Sequence, residues 1–135
     1  VPVVEALAEY DAFVDECEGI AAYGVTFDQK VVRAEERRAS RNDRYGERPT
    51  FCIMRAATDL CKMAPTERMM AAGRKWSKQP KLAEAVEILL GRKLEGAHNA
   101  EIDLEATREI FAIMIAKPGV VVWKPQISKL DNNED

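Results

Sequence analysis

GIAAYGVTFDQKVVRAEERR, residues 19–38, changes its period half-way along. Ile20-Ala21-Ala22-Tyr23 is a short apolar run bracketed by Gly19 and Gly24, which suits a buried strand. Asp28 to Ser40 then reads as a helix, with Arg33, Arg37 and Arg41 recurring every four residues as a solvated side. A buried strand feeding a helix within a few residues is the unit of α/β proteins, and Asp28 falls at its junction. A carboxylate there is stabilised by the helix N-terminus. The position suits a functional group at a sheet edge, and it equally suits a plain capping residue.

The flanking segments continue the alternation. Residues 3–17 place Val3, Leu7, Tyr10, Phe13, Val14 and Cys17 at helical spacing, and Gly19 ends that helix. Residues 41–50 are polar, with Gly46 and Pro49, and read as a loop. Thr50 to Met54 reads as a second short strand, and residues 55–79 as short helical turns broken at Pro65 and Gly73. Pro80 opens a strong helix, Lys81 to Leu90, which Gly91 closes. A further helix, Asn99 to Ala116, carries Ile102, Ala106, Ile110, Ile113 and Met114 on its apolar side and stops at Lys117-Pro118-Gly119. Val120 to Trp123 reads as a strand or a docked tail, and the residues from Ser128 as a polar, mobile end.

The 135 residues are 47% hydrophobic and 32% charged, a globular composition sized for one domain. No run approaches a membrane span, and no secretory signal is visible. Cys17, Cys52 and Cys61 lack a CxxC spacing, which excludes a simple disulfide framework or a cysteine zinc site and fits a reducing, cytoplasmic compartment. The net charge of -3 is unevenly spread. Residues 1–28 hold seven acids and no Lys or Arg, residues 29–93 hold sixteen basic and eight acidic residues, and residues 94–135 hold four basic and eight acidic residues. The basic middle suits a polyanion, or charges that pair among themselves in space.

Two further residues stand out. His98, the only histidine, lies in Gly96-Ala97-His98-Asn99, five residues before Asp103. On one continuous helix the two would point about 140° apart, so they converge only if His98 is in the loop and Asp103 in the first turns. Asn99 is suited to begin the helix. The plain alternative is a surface histidine beside an Asp favoured by the helix dipole.

PKLAEAVEILLGRKLEGAHNAEIDLEATREIF, residues 80–111, resembles the third motif of the DEDDh 3′–5′ exonucleases, the family of the proofreading subunit of bacterial DNA polymerase III. The family's His, four residues, Asp pattern falls here on His98 and Asp103. Residues 19–38 resemble its second motif, through Phe27, Asp28, Glu35 and Arg38, and Phe51 to Met54 resemble the segment before its variable loop. The resemblance runs from about residue 4 to residue 117. It departs at Tyr23-Gly24, where the family has a polar pair such as His-Asn, and in its first motif, an Asp-x-Glu on the first strand. The only Asp-x-Glu here, Asp103-Leu104-Glu105, lies within the third motif.

The resemblance implies a ribonuclease H-like α/β fold, with a mixed sheet flanked by helices. Residues 1–117 would form the C-terminal two-thirds of the exonuclease domain and residues 118–135 a tail. It implies hydrolysis of a phosphodiester at the 3′ end of DNA or RNA, with two divalent cations, Mg²⁺ or Mn²⁺, held partly by Asp28 and Asp103. His98 would act as general base, imidazole being the side chain that titrates near neutrality. The N-terminal strands and their acidic motif would come from the same protein or a partner chain, and without them these residues are expected to be inactive. The substrate end would be single-stranded, and a polymerase or other replication protein is a possible partner of such an enzyme. Lys78 and Lys81, with Arg74 and Lys75, would meet the nucleic-acid backbone. Trp76 would stack on a base or, alternatively, anchor a loop to the core. A non-catalytic nucleic-acid-binding or scaffold relative is the alternative within the family, and a helical interaction module the alternative outside it.

Overall fold

The computed structural model describes residues 2–124. Over these the chain is mixed α/β and mostly helical, with one two-stranded parallel sheet among the described residues. In chain order the elements are α1 (Val3–Glu16), β1 (Ile20–Ala22), α2 (Val25–Arg38), a 3-10 turn (Tyr45–Glu47), β2 (Thr50–Cys52), α3 (Ile53–Cys61), α4 (Glu67–Ala71), α5 (Leu82–Ala85) running into a π turn (Val86–Leu90), and α6 (Ala100–Ala116). The polar end expected from Ser128 lies outside the described residues.

Two compact units share these elements. The first comprises α1, most of β1, α2, the 3-10 turn, most of β2 and residues 122–124. Leu7 and Val14 of α1, Val25 of α2, Tyr45 and Phe51 are its buried apolar residues. Parallel strands cannot be joined by a tight turn, and α2 supplies the crossover between β1 and β2. Trp123 meets the Phe51 ring edge-on at 6.2 Å, and Lys124 exchanges backbone hydrogen bonds with Thr50 at 2.9 and 3.0 Å. Val120 to Trp123 is thus a docked tail rather than a strand. Gly19 makes room for it, since a Cβ at this position would stand 2.8 Å from the Trp123 ring.

Helix α2 begins at Val25, three residues before the expected start, so Asp28 lies within its first turn and not ahead of it. The helix stops at Arg38, which leaves Arg41 outside the expected arginine stripe. That side is also not uniformly solvated. Arg33 pairs with Asp43, and Arg41 Nε donates to Asp11 Oδ2 at 2.9 Å and lies 3.8 Å from Glu36 Oε2. Asp11 and Glu36 are both buried, Glu36 completely. Asp11 shares the helical spacing of Leu7 and Val14, so the stripe that points inward on α1 carries a carboxylate with it.

The second unit comprises Ala22–Gly24 and Cys52–Val121. Ile53 and Ala57 of α3, Ala85 and Val86, and Ala106, Ile110 and Met114 of α6 form its core. Spacings of four along α6 bring the last three to one side of the helix, as its apolar period requires. Ile53 opens α3 instead of extending the second strand, which shortens the expected strand to three residues. Helix α5 starts one residue after the expected position, with the Glu84 carboxylate accepting from Lys81 N at 2.9 Å, and Gly91 closes the π turn with φ +70°. The Tyr23 hydroxyl donates to the Pro80 carbonyl, and burial raises its pKa, followed by the charges of Cys61, Glu84 and Cys52.

Candidate functional site

The loop before α6 brings His98 to Asp103. Asn99 caps the helix, its Oδ1 accepting from Glu101 N at 3.0 Å and Ile102 N at 3.3 Å. Ahead of the cap, Gly96 has φ +76° and His98 has φ +72°, a left-handed pair of bends within three residues. These turn the chain back, so that His98 N donates to Asp103 Oδ2 at 3.2 Å. Histidine tolerates this backbone region better than most residues, but a non-glycine residue held there needs its surroundings to keep it. The hydrogen bond and the Asn99 cap do so. A side chain at 96 is strained by φ, and it would also push Ile102 Cδ1 aside, which would lie 2.6 Å from a Cβ.

The imidazole itself is exposed. The second carboxylate oxygen, Asp103 Oδ1, is buried without a hydrogen-bond partner. A buried carboxylate oxygen in that state is costly unless something positively charged or protic meets it. The joint thus carries an exposed histidine on a backbone tied to one Asp103 oxygen, while the other oxygen is buried with no hydrogen-bond partner among the described residues.

Asp28 belongs to the other unit, so His98 and Asp103 are brought together while Asp28 is placed separately on α2. Its side chain is half-buried, and burial raises its carboxyl above the ordinary range. Desolvation of this kind disfavours the anion until a cation offsets it. Among the described residues, no group of three or more His, Cys, Asp or Glu side chains is gathered as a metal cage. The donors present suit a hard divalent ion by their chemistry. Both Asp28 and Asp103 offer carboxylate oxygen, and Asp103 keeps one oxygen free of protein donors.

The basic segment takes a different form from the metal candidates. Trp76 is 64% exposed, so it does not anchor a loop to the core. Together with Lys78 it lines a cavity of about 600 Å³ against α3, whose other walls include Arg55, Asp59, Met69 and Arg74. Lys78 is held in an ion pair with Glu84, whose carboxyl is pulled below its ordinary range chiefly by that hydrogen bond. Lys81 is exposed just ahead of α5 and does not line the cavity. Arg55 was not singled out by the sequence. Its only signal is a place three residues past the end of β2, on the same helical side as Asp59 four residues on.

No protein-family model, curated protein or solved structure matches this chain.

Proposed function

We propose that this chain is the C-terminal two-thirds of a metal-dependent 3′–5′ exonuclease of the DEDDh type, with a ribonuclease H-like fold, acting on a single-stranded 3′ end of DNA or RNA. The observation that carries this reading is the joint ahead of α6, where a left-handed His98 is tied to Asp103 and leaves one carboxylate oxygen unsatisfied. The apolar side chains left open on two helices also support it. Phe13 of α1 is 73% exposed and Phe27 of α2 is 71% exposed, and Val31, one turn after Phe27, is exposed as well. Open apolar side chains of this kind suit coverage by further strands, which would also carry the family's Asp-x-Glu. The free thiols of Cys17, Cys52 and Cys61 fit a cytoplasmic setting, and among the described residues no helix is long and apolar enough to cross a membrane.

The chemistry follows from the side chains. Asp103 would hold a Mg²⁺ or Mn²⁺ ion together with the strand-borne acids, and Asp28 is the further metal ligand that the resemblance implies. Bound there, such ions would neutralise the phosphate and stabilise the attacking and leaving oxygens. His98 takes the proton of the attacking water on an imidazole nitrogen, the exposed ring giving water free approach. Asp103 acts a second time as a positioning residue, since its Oδ2 fixes the backbone from which the imidazole projects. As the water oxygen bonds to phosphorus the P–O3′ bond breaks; the 3′ oxygen stays on the shortened strand and takes a proton from solvent, and the terminal residue leaves as a nucleoside 5′-monophosphate.

The test uses the protein supplied with an Asp-x-Glu strand. His98→Ala lowers Mg²⁺-dependent nucleotide release from a single-stranded 3′ end by roughly 10²–10⁴-fold, the usual worth of a positioned general base. Because the ring is exposed, the melting temperature stays within a degree or two of the wild type. Undiminished release by the variant, or strong cleavage by residues 1–135 without the acidic strand, would refute the reading.

A further inference from the structure

The cavity against α3 lies apart in sequence from the His98–Asp103 joint and shares no residue with it. Its wall combines three features that the catalytic chemistry does not use. The Trp76 indole is exposed at a cavity wall rather than packed. Arg55 and Arg74 are exposed and make no ion pair among the described residues. Met69 supplies an apolar surface within the same lining. Two free guanidiniums beside an exposed aromatic face match the two halves of a nucleotide, a phosphate and a stackable base. Lys78 is a weaker candidate for the phosphate than the sequence suggests, because Glu84 already satisfies its ammonium. Asp59 places one negative charge in the wall, where it can accept from a base N–H while repelling a phosphate.

We propose that this cavity is a nucleotide-holding subsite for a single-stranded nucleic acid, with Trp76 stacked on one base and Arg55 and Arg74 on the flanking phosphates. The choice of substrate class rests on the nuclease reading above, while the site itself stands on charge complementarity and the exposed indole. In this arrangement the strand is gripped by residues that take no part in hydrolysis, so binding persists when divalent ions are removed. Stacking is indifferent to which base it meets, so the grip is sequence-tolerant.

The experiment is fluorescence anisotropy of a labelled short oligothymidylate with the full chain in EDTA, repeated over a range of salt. The wild type binds, with an affinity that falls with salt. Trp76→Ala weakens binding about ten-fold or more, and Trp76→Phe restores most of it because stacking is kept. Arg55→Gln and Arg74→Gln each reduce the slope of log affinity against log salt by about 0.7, the worth of one single-strand phosphate contact. A wild type that does not bind in EDTA overturns the proposal. So do Trp76→Ala and Arg74→Gln proteins that bind as the wild type does. Binding that is lost in these variants, with no hydrolysis on adding Mg²⁺ and the acidic strand, supports the subsite and removes the nuclease reading instead.

Discussion

Glu36 offers the sharpest physical test of the fold. Its side chain is fully buried beside the buried Asp11, with Arg41 as the nearest cation to both. Arg41 Nε reaches Asp11 Oδ2, while among the described residues no N–H or hydroxyl donor meets Asp11 Oδ1 or either Glu36 oxygen, so the two carboxyls can bond each other only through a proton. One guanidinium against two desolvated carboxylates leaves the pair short of one positive charge. A proton shared between the acids supplies it. Burial, followed by the hydrogen bond to Asp11 and its charge, pushes the Glu36 carboxyl up to about 7, while Arg41 pulls the other way. In the unfolded chain the same group releases its proton near the ordinary 4.5. Between these values the folded state binds more protons, so stability falls as pH rises through the window. At 1.36 kcal/mol per decade the loss amounts to about 3 kcal/mol between about pH 4 and pH 8. Glu36→Gln stays neutral throughout and does not incur that loss. The stability difference between variant and wild type, from urea unfolding followed by circular dichroism, should therefore move in favour of the variant by about 3 kcal/mol across the window, or about 10 °C in melting temperature. Taking the difference cancels the titrating groups that do not touch this pair. If the two stability curves run parallel from acid to mild alkali, the shared proton does not exist and the burial argument fails.

Further outcomes follow from the same geometry. Arg41→Met leaves two buried carboxylates without their cation, and the loss of stability should reach about 3–5 kcal/mol at neutral pH and shrink in acid, measured by the same unfolding curves. Gly19→Ala places a methyl against the Trp123 ring, so the tail should lift from Phe51, with a red shift in Trp123 emission and a cost of about 1–3 kcal/mol. Gly96→Ala strains the loop that carries His98 without touching the core, so nuclease activity should fall at least ten-fold while the thermal midpoint moves by only a few degrees; an unchanged rate would remove the loop from the mechanism.

Much of the local structure was legible because it depends on neighbours in the chain. The alternation of short apolar runs with helical periods marked the two strands and the long helices, and the Asn99 cap was visible as a residue type in its place. The approach of His98 to Asp103 was legible for the same reason. Five residues, one glycine and one capping amide leave the backbone few ways to turn, and one of them joins the two. The start of α2 is not legible because Asp28 is a stronger capping residue type than Thr26 or Gly24, whereas the helix begins at Val25 and holds Asp28 in its first turn. Periodicity marked Phe13 of α1 as part of an apolar face, but the face is only partly covered.

What the sequence by itself determined was therefore the succession of elements, the split of charge along the chain and the turn that ties the His98 backbone to the Asp103 carboxylate. Tertiary structure alone decided that Asp11 and Glu36 are buried around one guanidinium, that Lys78 is satisfied by Glu84, and that Trp76 stands open at a cavity wall with two arginines that make no ion pair among the described residues. The division has one physical cause. Backbone turns and caps are settled by groups a few residues apart, whereas burial and the availability of a charge depend on which distant segment arrives to cover it.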